Sequence, residues 1–160
     1  MKIGYIGLGK MGKNIVLHLL EQGIEVVAWN RSPEPIEEVV KAGAIGAKSL
    51  DDLVSKLTAP RTIWLMITAG EAVDEVINNL VPKLDKGDLI IDGGNSFYKD
   101  SIRRGEQLAK KGIHFMDVGT SGGVESARNG ACLMIGGSKE DFERAEPIFK
   151  AEAAEGGYGL

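Results

Sequence analysis

Short apolar runs alternate with amphipathic segments along this chain. The runs Lys2–Ile6 and Glu25–Trp29 have the length and composition of buried strands, and the segments 11–22 and 35–42 carry apolar residues at helical spacing. Further strand-like runs follow at 45–47, 62–67, 89–92, 115–118 and 132–135, with helical segments between most of them. This alternation predicts an α/β domain built on a mainly parallel sheet.

Two serine residues mark predicted helix starts. Ser49 is followed by Asp52, and Ser138 by Asp141, at the spacing of a capping box. In that motif the serine oxygen accepts a hydrogen bond from a first-turn amide, and the acidic side chain reaches back. We therefore predict helices that begin directly after Ser49 and Ser138.

Length and composition fit one globular domain. The chain has 160 residues, of which 43% are apolar and 26% charged, an ordinary balance for a folded protein. The last ten residues are mostly small and rich in glycine. We therefore expect a domain over residues 1–150, followed by a junction over 151–160.

Charge and cysteine content exclude several kinds of partner. The net charge of -4 leaves no basic footprint, so we expect no nucleic-acid partner. Cys132 is the only cysteine, which excludes an internal disulfide and a metal cluster built from several thiolates. Its apolar surroundings in the sequence place it in the predicted core, and we expect no metal. No stretch approaches the roughly 20 apolar residues of a membrane span, so we expect a cytoplasmic protein with no membrane partner.

The first predicted strand runs into a G-x-G-x-x-G pattern at residues 7–12. Gly7 permits a tight turn, Gly9 lets a pyrophosphate approach the backbone, and Gly12 lets the helix pack close to the strand. A plain turn between packed elements is the alternative. The strand, helix and second strand around the pattern favour a Rossmann-type, doubly wound fold, with helices on both faces and phosphates at the helix start. The predicted cofactor contacts here are Gly7, Leu8, Gly9, Lys10, Met11 and Gly12.

The end of the second predicted strand indicates which dinucleotide is bound. NAD-binding domains place an Asp or Glu about 20 residues past the glycines, against the adenosine ribose. This chain has Asn30, Arg31 and Ser32 there. Arg31 can bind a ribose 2'-phosphate through two hydrogen bonds, Ser32 adds a hydroxyl donor, and no carboxylate repels the phosphate. We therefore predict that this segment binds NADP. The alternative is that it forms a surface turn in which Arg31 is only solvated.

Three more segments follow predicted strand ends, at the rim where open α/β sheets bind ligands. They are Met66-Ile67-Thr68-Ala69-Gly70, Asp92-Gly93-Gly94-Asn95-Ser96 and Gly119-Thr120-Ser121-Gly122-Gly123. With the glycine pattern and Asn30-Arg31-Ser32, these segments resemble the N-terminal, NADP-binding part of decarboxylating 6-phosphogluconate dehydrogenases, over nearly the whole chain. The likeness extends to the wider β-hydroxyacid dehydrogenase superfamily, which shares the glycine loop and the Ser-Gly-Gly.

The resemblance implies roles for residues on this rim. The implied cofactor contacts are Ile67, Thr68, Ala69 and Asn95, and the implied substrate contacts are Asn95, Ser121, Gly122 and Gly123. Family members often have a lysine where this chain has Thr68. By its residues alone, Asn95 could instead cap a helix, and the two glycines after Ser121 could form a plain turn.

The resemblance also implies a reaction. The β-hydroxyl carbon of 6-phosphogluconate gives a hydride to NADP, carbon dioxide is lost, and the enediol is protonated to ribulose 5-phosphate. These steps require a general base and a general acid. In the family these are a lysine and a glutamate in a helical domain after a Gly-Tyr-Gly stretch, and no position here matches them. Gly157-Tyr158-Gly159 resembles that stretch. We therefore expect the catalytic pair, and the contacts that make the full-length enzyme a homo-oligomer, beyond Leu160.

Three functions remain open at this point. The chain is the cofactor domain of such an enzyme, inactive alone; or a domain of a 3-hydroxyisobutyrate-type dehydrogenase; or a self-contained NADP-sensing module. The first predicts an exposed apolar face near residues 158–160, where a helical domain would pack.

Overall fold

A computed structural model describes all 160 residues. The strands are β1 (Lys2–Ile6), β2 (Glu25–Trp29), β3 (Ile45–Gly46), β4 (Thr62–Leu65), β5 (Leu89–Asp92), β6 (His114–Ser121), β7 (Ala131–Gly136) and β8 (Ala153–Gly159). The helices are α1 (Lys10–Glu21), α2 (Glu34–Lys41), α3 (Leu50–Ser55), α4 (Glu71–Leu80), α5 (Tyr98–Ala109), α6 (Gly123–Asn129) and α7 (Lys139–Glu152), with a 3₁₀ turn at Val81–Lys83. None of the helices combines the length and apolar character needed to cross a membrane.

All eight strands form one sheet in the order β3-β2-β1-β4-β5-β6-β7-β8. Neighbouring strands are parallel except β6 and β7, which run antiparallel. The first six strands have the strand order of a Rossmann fold. The predicted doubly wound, mainly parallel sheet is confirmed. Its strand order reverses between β1 and β4, so α1 begins at the carboxyl edge of the sheet, beside the ends of both strands.

The core has two parts, one on each face of the sheet. Side chains alternate along β1, so that Ile3 and Tyr5 join one cluster and Ile6 joins the other. The first cluster packs under α1, α2, α6 and α7, and the second packs under α3, α4 and α5. Burial on both faces explains why the central strands read as continuous apolar runs.

The two predicted helix starts are confirmed. The Asp52 amide donates to Ser49 Oγ at 3.0 Å, and the Asp52 carboxylate accepts from the Lys48 amide at 2.8 Å. At α7 the Asp141 amide donates to Ser138 Oγ at 3.1 Å. Each serine therefore satisfies one amide that the helix itself leaves without a partner.

The segment after residue 150 continues the domain. Ala151 and Glu152 are buried at the end of α7, and residues 153–159 pair with β7 as β8. The boundary expected near residue 150 therefore falls inside a helix. Sequence patterns missed β8 because its Ala-Ala-Glu-Gly-Gly-Tyr-Gly run has no apolar alternation, and main-chain pairing holds it in place.

The expectation that Cys132 lies in the core is wrong. Alternation along β7 buries Leu133 and Ile135 but leaves Cys132 exposed on the opposite face. Met134 shares that face and is 58% exposed, and Leu160 nearby is 57% exposed. An exposed apolar face is thus present at β7 and β8. Tyr158 is partly buried, and its hydroxyl donates to Glu146 Oε1 at 3.0 Å.

Candidate functional site

The glycine loop joins β1 to α1 at the carboxyl edge of the sheet. Gly9 is the N-cap of α1, and no side chain caps the helix. The first turn of α1 also contains no acidic residue. The first-turn amides therefore remain available to an anion, and the helix dipole favours negative charge there.

The three glycines of the pattern face different surroundings. Gly7 has a φ of +102°, and a Cβ there would lie 2.1 Å from the Met66 carbonyl oxygen. At Gly12 a Cβ would lie 2.0 Å from the Gly7 carbonyl oxygen, whereas at Gly9 it would meet no atom within 4 Å. Gly7 and Gly12 are therefore required by the protein's own packing. The open space at Gly9 is what close approach of a ligand to the backbone requires.

Asn30 holds the glycine loop in place. Its Oδ1 accepts from the Leu8 amide at 2.8 Å, and its Nδ2 donates to the Ser32 carbonyl at 3.1 Å. The side chain thus links the end of β2 to the loop after β1. Sequence reasoning placed Asn30 among the cofactor contacts, and the structure uses its amide within the protein. Leu8 is buried.

A cleft of about 420 Å³ opens beside the glycine loop, between β2 and α4. Arg31 is exposed and lines this first cleft, and Ser32 is exposed but lies outside its lining. The walls include Gly7, Gly9, Asn30, Met66, Ile67 and Thr68 of the predicted set, whereas Ala69 is exposed and outside the lining.

A second cleft of about 320 Å³ continues along the edge toward β6. It is lined by Gly9, Lys10, Met11, Gly12, Met66, Ile67, Gly93, Gly94, Asn95 and Thr120. Gly9, Met66 and Ile67 line both clefts, so the two form one continuous groove across the carboxyl ends of the central strands. This is where ligands bind in open α/β sheets.

Asn95 lies at the far end of the groove and has a left-handed backbone with a φ of 56°. Its Oδ1 accepts from the Thr120 amide at 2.9 Å, and its Nδ2 donates to the Thr120 carbonyl at 3.1 Å. The alternative role as a helix cap is wrong, because Phe97 is the N-cap of α5 and no side chain caps it. The amide joins the loop after β5 to the end of β6 and still has one donor hydrogen and one lone pair for a ligand.

Ser121 ends β6, Gly122 is the N-cap of α6, and Gly123 is the first residue of that helix. All three are exposed, and the two glycines have positive φ values of 116° and 72°. A Cβ at Gly122 would lie 2.3 Å from Ser126 Oγ, whereas a Cβ at Gly123 would meet nothing within 4 Å. The segment follows Thr120 directly, so its amides and hydroxyl lie next to the Asn95 end of the groove.

A buried charge network, missed by sequence reasoning, lies behind this end of the groove. Asp92 is fully buried; its Oδ1 accepts from the Gly94 amide at 3.0 Å and its Oδ2 accepts from Ser96 Oγ. Arg104 Nη1 lies 3.6 Å from Asp92 Oδ2, and the rest of the guanidinium binds Asp74. These hydrogen bonds from Arg104 lower the pKa of Asp74 to about 2. Burial raises the pKa of Asp117 nearby.

One signal in the sequence pointed to this network. Ser101, Arg104 and Leu108 share the buried face of α5, and an arginine at a position of that face requires buried partners. Sequence reasoning also missed the α3 and α4 side of the first cleft. The lining there consists of Leu50, Ala72, Glu75, Val76 and Asn79.

The groove fits an extended dinucleotide. It offers free amides at the start of α1, a guanidinium at one end, an amide side chain at the other, and apolar walls from Met66 and Ile67 between them. Flat apolar rings suit such walls, and phosphates suit the amides. Fold and groove together define a dinucleotide-binding domain of the Rossmann type.

The family model for the NAD binding domain of 6-phosphogluconate dehydrogenase matches residues 2–159, and the chain belongs to this family. Decarboxylating 6-phosphogluconate dehydrogenase from Haemophilus influenzae is 47% identical over 157 residues, which cover 95% of this chain and 32% of the relative. The enzyme of the same name from Rattus norvegicus is 48% identical over 162 residues, covering 98% and 34%. The resemblance inferred from the motifs is confirmed, and the chain spans about a third of the length of these relatives.

Solved structures agree with this assignment. Plasmodium falciparum 6-phosphogluconate dehydrogenase, which is known in its apo form and in complexes with NADP+ and with 6-phosphogluconate, matches with a TM-score of 0.92 at 36% identity. The match covers 100% of this chain and 36% of that one. Mycobacterium tuberculosis 3-hydroxyisobutyrate dehydrogenase matches with a TM-score of 0.89 at 23% identity, a likeness that concerns the fold alone.

Proposed function

We propose that this chain binds NADP and forms the cofactor domain of an enzyme that oxidatively decarboxylates 6-phosphogluconate. In this proposal the first-turn amides of α1 bind the pyrophosphate, and Arg31 binds the 2'-phosphate of the adenosine ribose. Ile67 and Met66 pack on the rings. Asn95 contacts both nicotinamide and substrate, and Ser121, Gly122 and Gly123 bind the substrate. Bound NADP supplies the hydride acceptor.

The observation that carries the proposal is the position of Arg31 in the groove. The side chain lines the first cleft beside Gly7 and Gly9, so one ligand can contact both the glycine loop and the guanidinium. Asn30 is neutral, and its amide is engaged with Leu8 and Ser32. A 2'-phosphate would therefore meet a cation without an opposing carboxylate from the end of β2.

We further propose that the general base and the general acid come from another part of the enzyme. Lys10, Arg31 and Glu75 are the ionisable side chains that line the groove, and only Lys10 lies in the second cleft. The relatives named as decarboxylating enzymes are about three times as long as this chain. The exposed apolar face at Met134 and Leu160 supports packing of a further element on β7 and β8.

Calorimetry with NADP and NAD tests the cofactor assignment. Arg31→Ala should weaken NADP binding by about 2 kcal/mol, typical of a charged hydrogen bond, and leave NAD binding nearly unchanged. Arg128→Ala is the matched control, because that arginine lies on α6 and contacts Glu21. Equal losses for both cofactors in Arg31→Ala, or binding of neither by the parent chain, would contradict the proposal.

Thermal unfolding tests the substrate assignment. A ligand that binds only the folded chain raises the unfolding temperature, and the shift grows with the ratio of the free ligand concentration to the dissociation constant. In the presence of NADP, 6-phosphogluconate should protect the chain and 3-hydroxyisobutyrate should not. Protection by 3-hydroxyisobutyrate alone would favour the sibling activity instead.

A further inference from the structure

Arg104 is a buried arginine that lies outside the lining of both clefts. Its side chain is 1% exposed and lies on the inward face of α5. Charged side chains are rarely buried to this degree unless they are paired. Its partners therefore indicate what the residue does.

The guanidinium connects the ends of two groove-lining loops. Nη2 donates to the Gly70 carbonyl at 3.0 Å, at the end of the loop that carries Met66 and Ile67. Nε and Nη2 donate to the two carboxylate oxygens of Asp74 at 3.0 and 3.2 Å. Nη1 lies 3.6 Å from Asp92 Oδ2, at the end of β5 and directly before the loop that carries Asn95.

Asp92 in turn shapes its own loop. It accepts from the Gly94 amide and from Ser96 Oγ, the residues on either side of Asn95. Gly94 lies directly against the other loop, since a Cβ there would be 2.5 Å from the Ile67 carbonyl oxygen. The contact between the two loops thus leaves no space for a shift of Gly94 toward Ile67.

We propose that Arg104 is a positioning residue of the groove: its guanidinium, set between Gly70, Asp74 and Asp92, fixes the Asn95 loop against the Ile67 loop. This inference rests on the proposed NADP function. Arg104 acts through Asp92 and Gly70 and touches no ligand. Its fork geometry is essential because a single ammonium cannot bind Asp74 with two donors and also face Gly70 and Asp92.

The proposal predicts an uneven effect along the groove. The Asn95 end depends on the two fixed loops, whereas the Arg31 end depends on the glycine loop and β2. Arg104→Lys should therefore weaken contacts of the nicotinamide half of the cofactor more than contacts of the adenosine half. A residue that only stabilised the fold would affect both halves alike.

Two ligands distinguish the halves in direct binding measurements. NADPH has both, and adenosine 2',5'-bisphosphate has only the adenosine half. Arg104→Lys should bind NADPH about tenfold more weakly, with a smaller change in nicotinamide fluorescence on binding. Binding of the bisphosphate should change by no more than about twofold. Arg103→Lys is the matched control, because Arg103 also binds Asp74 but is exposed and has no contact with Gly70 or Asp92.

The other possible binding results separate the role of Arg104 from the proposed function. Equal weakening of both ligands, or no change in either, overturns the role of Arg104 while the proposed function stands. Failure of the parent chain to bind either ligand overturns the proposed function itself, and this inference with it. If circular dichroism indicates that Arg104→Lys is unfolded, Asp92→Asn takes its place, measured beside Ser96→Ala, because Asp92→Asn removes both the charge facing Arg104 and the acceptor for Ser96. A larger uneven effect in Asp92→Asn than in Ser96→Ala is expected, and an equal effect in the two overturns the role of Arg104.

Discussion

The two ends of the groove are built by different means. At the glycine loop, close backbone packing at Gly7 and Gly12 and one side chain, Asn30, do the positioning, and side chains are absent where the backbone must approach closely. At the Asn95 end, a polar side chain and a buried charge network hold loops that come from distant parts of the chain. Two positions of the glycine loop, Gly7 and Gly12, therefore have no room for a Cβ, whereas the Asn95 end depends on keeping every polar partner in place.

The largest expected effect comes from adding one methyl group at the glycine end. Gly12→Ala would place a Cβ 2.0 Å from the Gly7 carbonyl oxygen. This contact is with the backbone, which cannot move aside as the end of a flexible side chain could. We expect a loss of at least about 3 kcal/mol in the free energy of unfolding. Urea unfolding monitored by tryptophan fluorescence measures this loss of stability.

Gly9→Ala is the matched control for this loss. Its Cβ would meet no atom within 4 Å, and its backbone is already extended. The free energy of unfolding should change by less than about 0.5 kcal/mol, while NADP binding weakens. Equal destabilisation by the two alanines would remove the distinction between packing glycines and a ligand-facing glycine.

Glu152 is a buried carboxyl that, unlike Asp92, has no hydrogen-bond partner. Glu152 is fully buried, neither of its oxygens has a hydrogen-bond partner, and burial raises its pKa from 4.5 to about 8. Between these two values the folded chain holds a proton that the unfolded chain has lost. Stability should therefore fall as pH rises from about 4.5 to 8, by up to about 1.4 kcal/mol per pH unit.

Urea unfolding of Glu152→Gln across this pH range tests the prediction. The variant should match the parent near pH 4 and become progressively more stable than the parent up to pH 8, because glutamine stays neutral. Glu155→Gln, an exposed residue on β8, should show no such trend. A constant difference between Glu152→Gln and the parent would contradict a buried, titrating carboxyl.

The Asn95 end should respond to substitution at its polar side chain. Asn95→Ala removes two hydrogen bonds to Thr120 and leaves a Cβ-bearing residue without a compensating side chain at a φ of 56°. We expect a loss of about 2 kcal/mol in the free energy of unfolding. Asn95→Gly relieves the backbone strain and should lose about 1 kcal/mol less. Thermal unfolding of the pair separates strain from hydrogen bonding.

The smallest effect is expected from an ion pair on the surface. Arg128 on α6 donates to Glu21 on α1 and lowers the pKa of that carboxyl, and both groups are accessible to water. Water and salt screen such pairs. The unfolding midpoint of Arg128→Ala should equal that of the parent at both low and high salt. A large loss would mean that side-chain pairing matters at the surface as much as at Asp92.

Sequence reasoning succeeded where the backbone dictates the residue. Gly7 and Gly12 are required by main-chain packing, so their spacing after a strand predicted the loop, the helix start and the fold. The alternation of apolar runs and amphipathic segments predicted the mainly parallel sheet. These constraints act over a few neighbouring residues and can therefore be recognised in the sequence.

The same reasoning failed where a residue's role depends on a distant partner. The hydrogen bond from the Leu8 amide to Asn30 Oδ1 spans 22 positions and was not foreseen, while the role of Asn30 as a cofactor contact stays a prediction. Arg104 reaches Asp74 across 30 positions and was not predicted at all. Cys132 was placed in the core because a short apolar run does not reveal that one face of an edge region lacks a covering helix.

The walls that Gly9, Met66 and Ile67 contribute to both clefts have a practical consequence for chemical probes. Two weak fragments, each bound in one cleft, would lie side by side along the groove and meet at these shared residues. A short tether between them would turn the second association into an intramolecular one, raising its effective concentration without any new contact. A linker between the two fragments should therefore pass over Gly9, Met66 and Ile67.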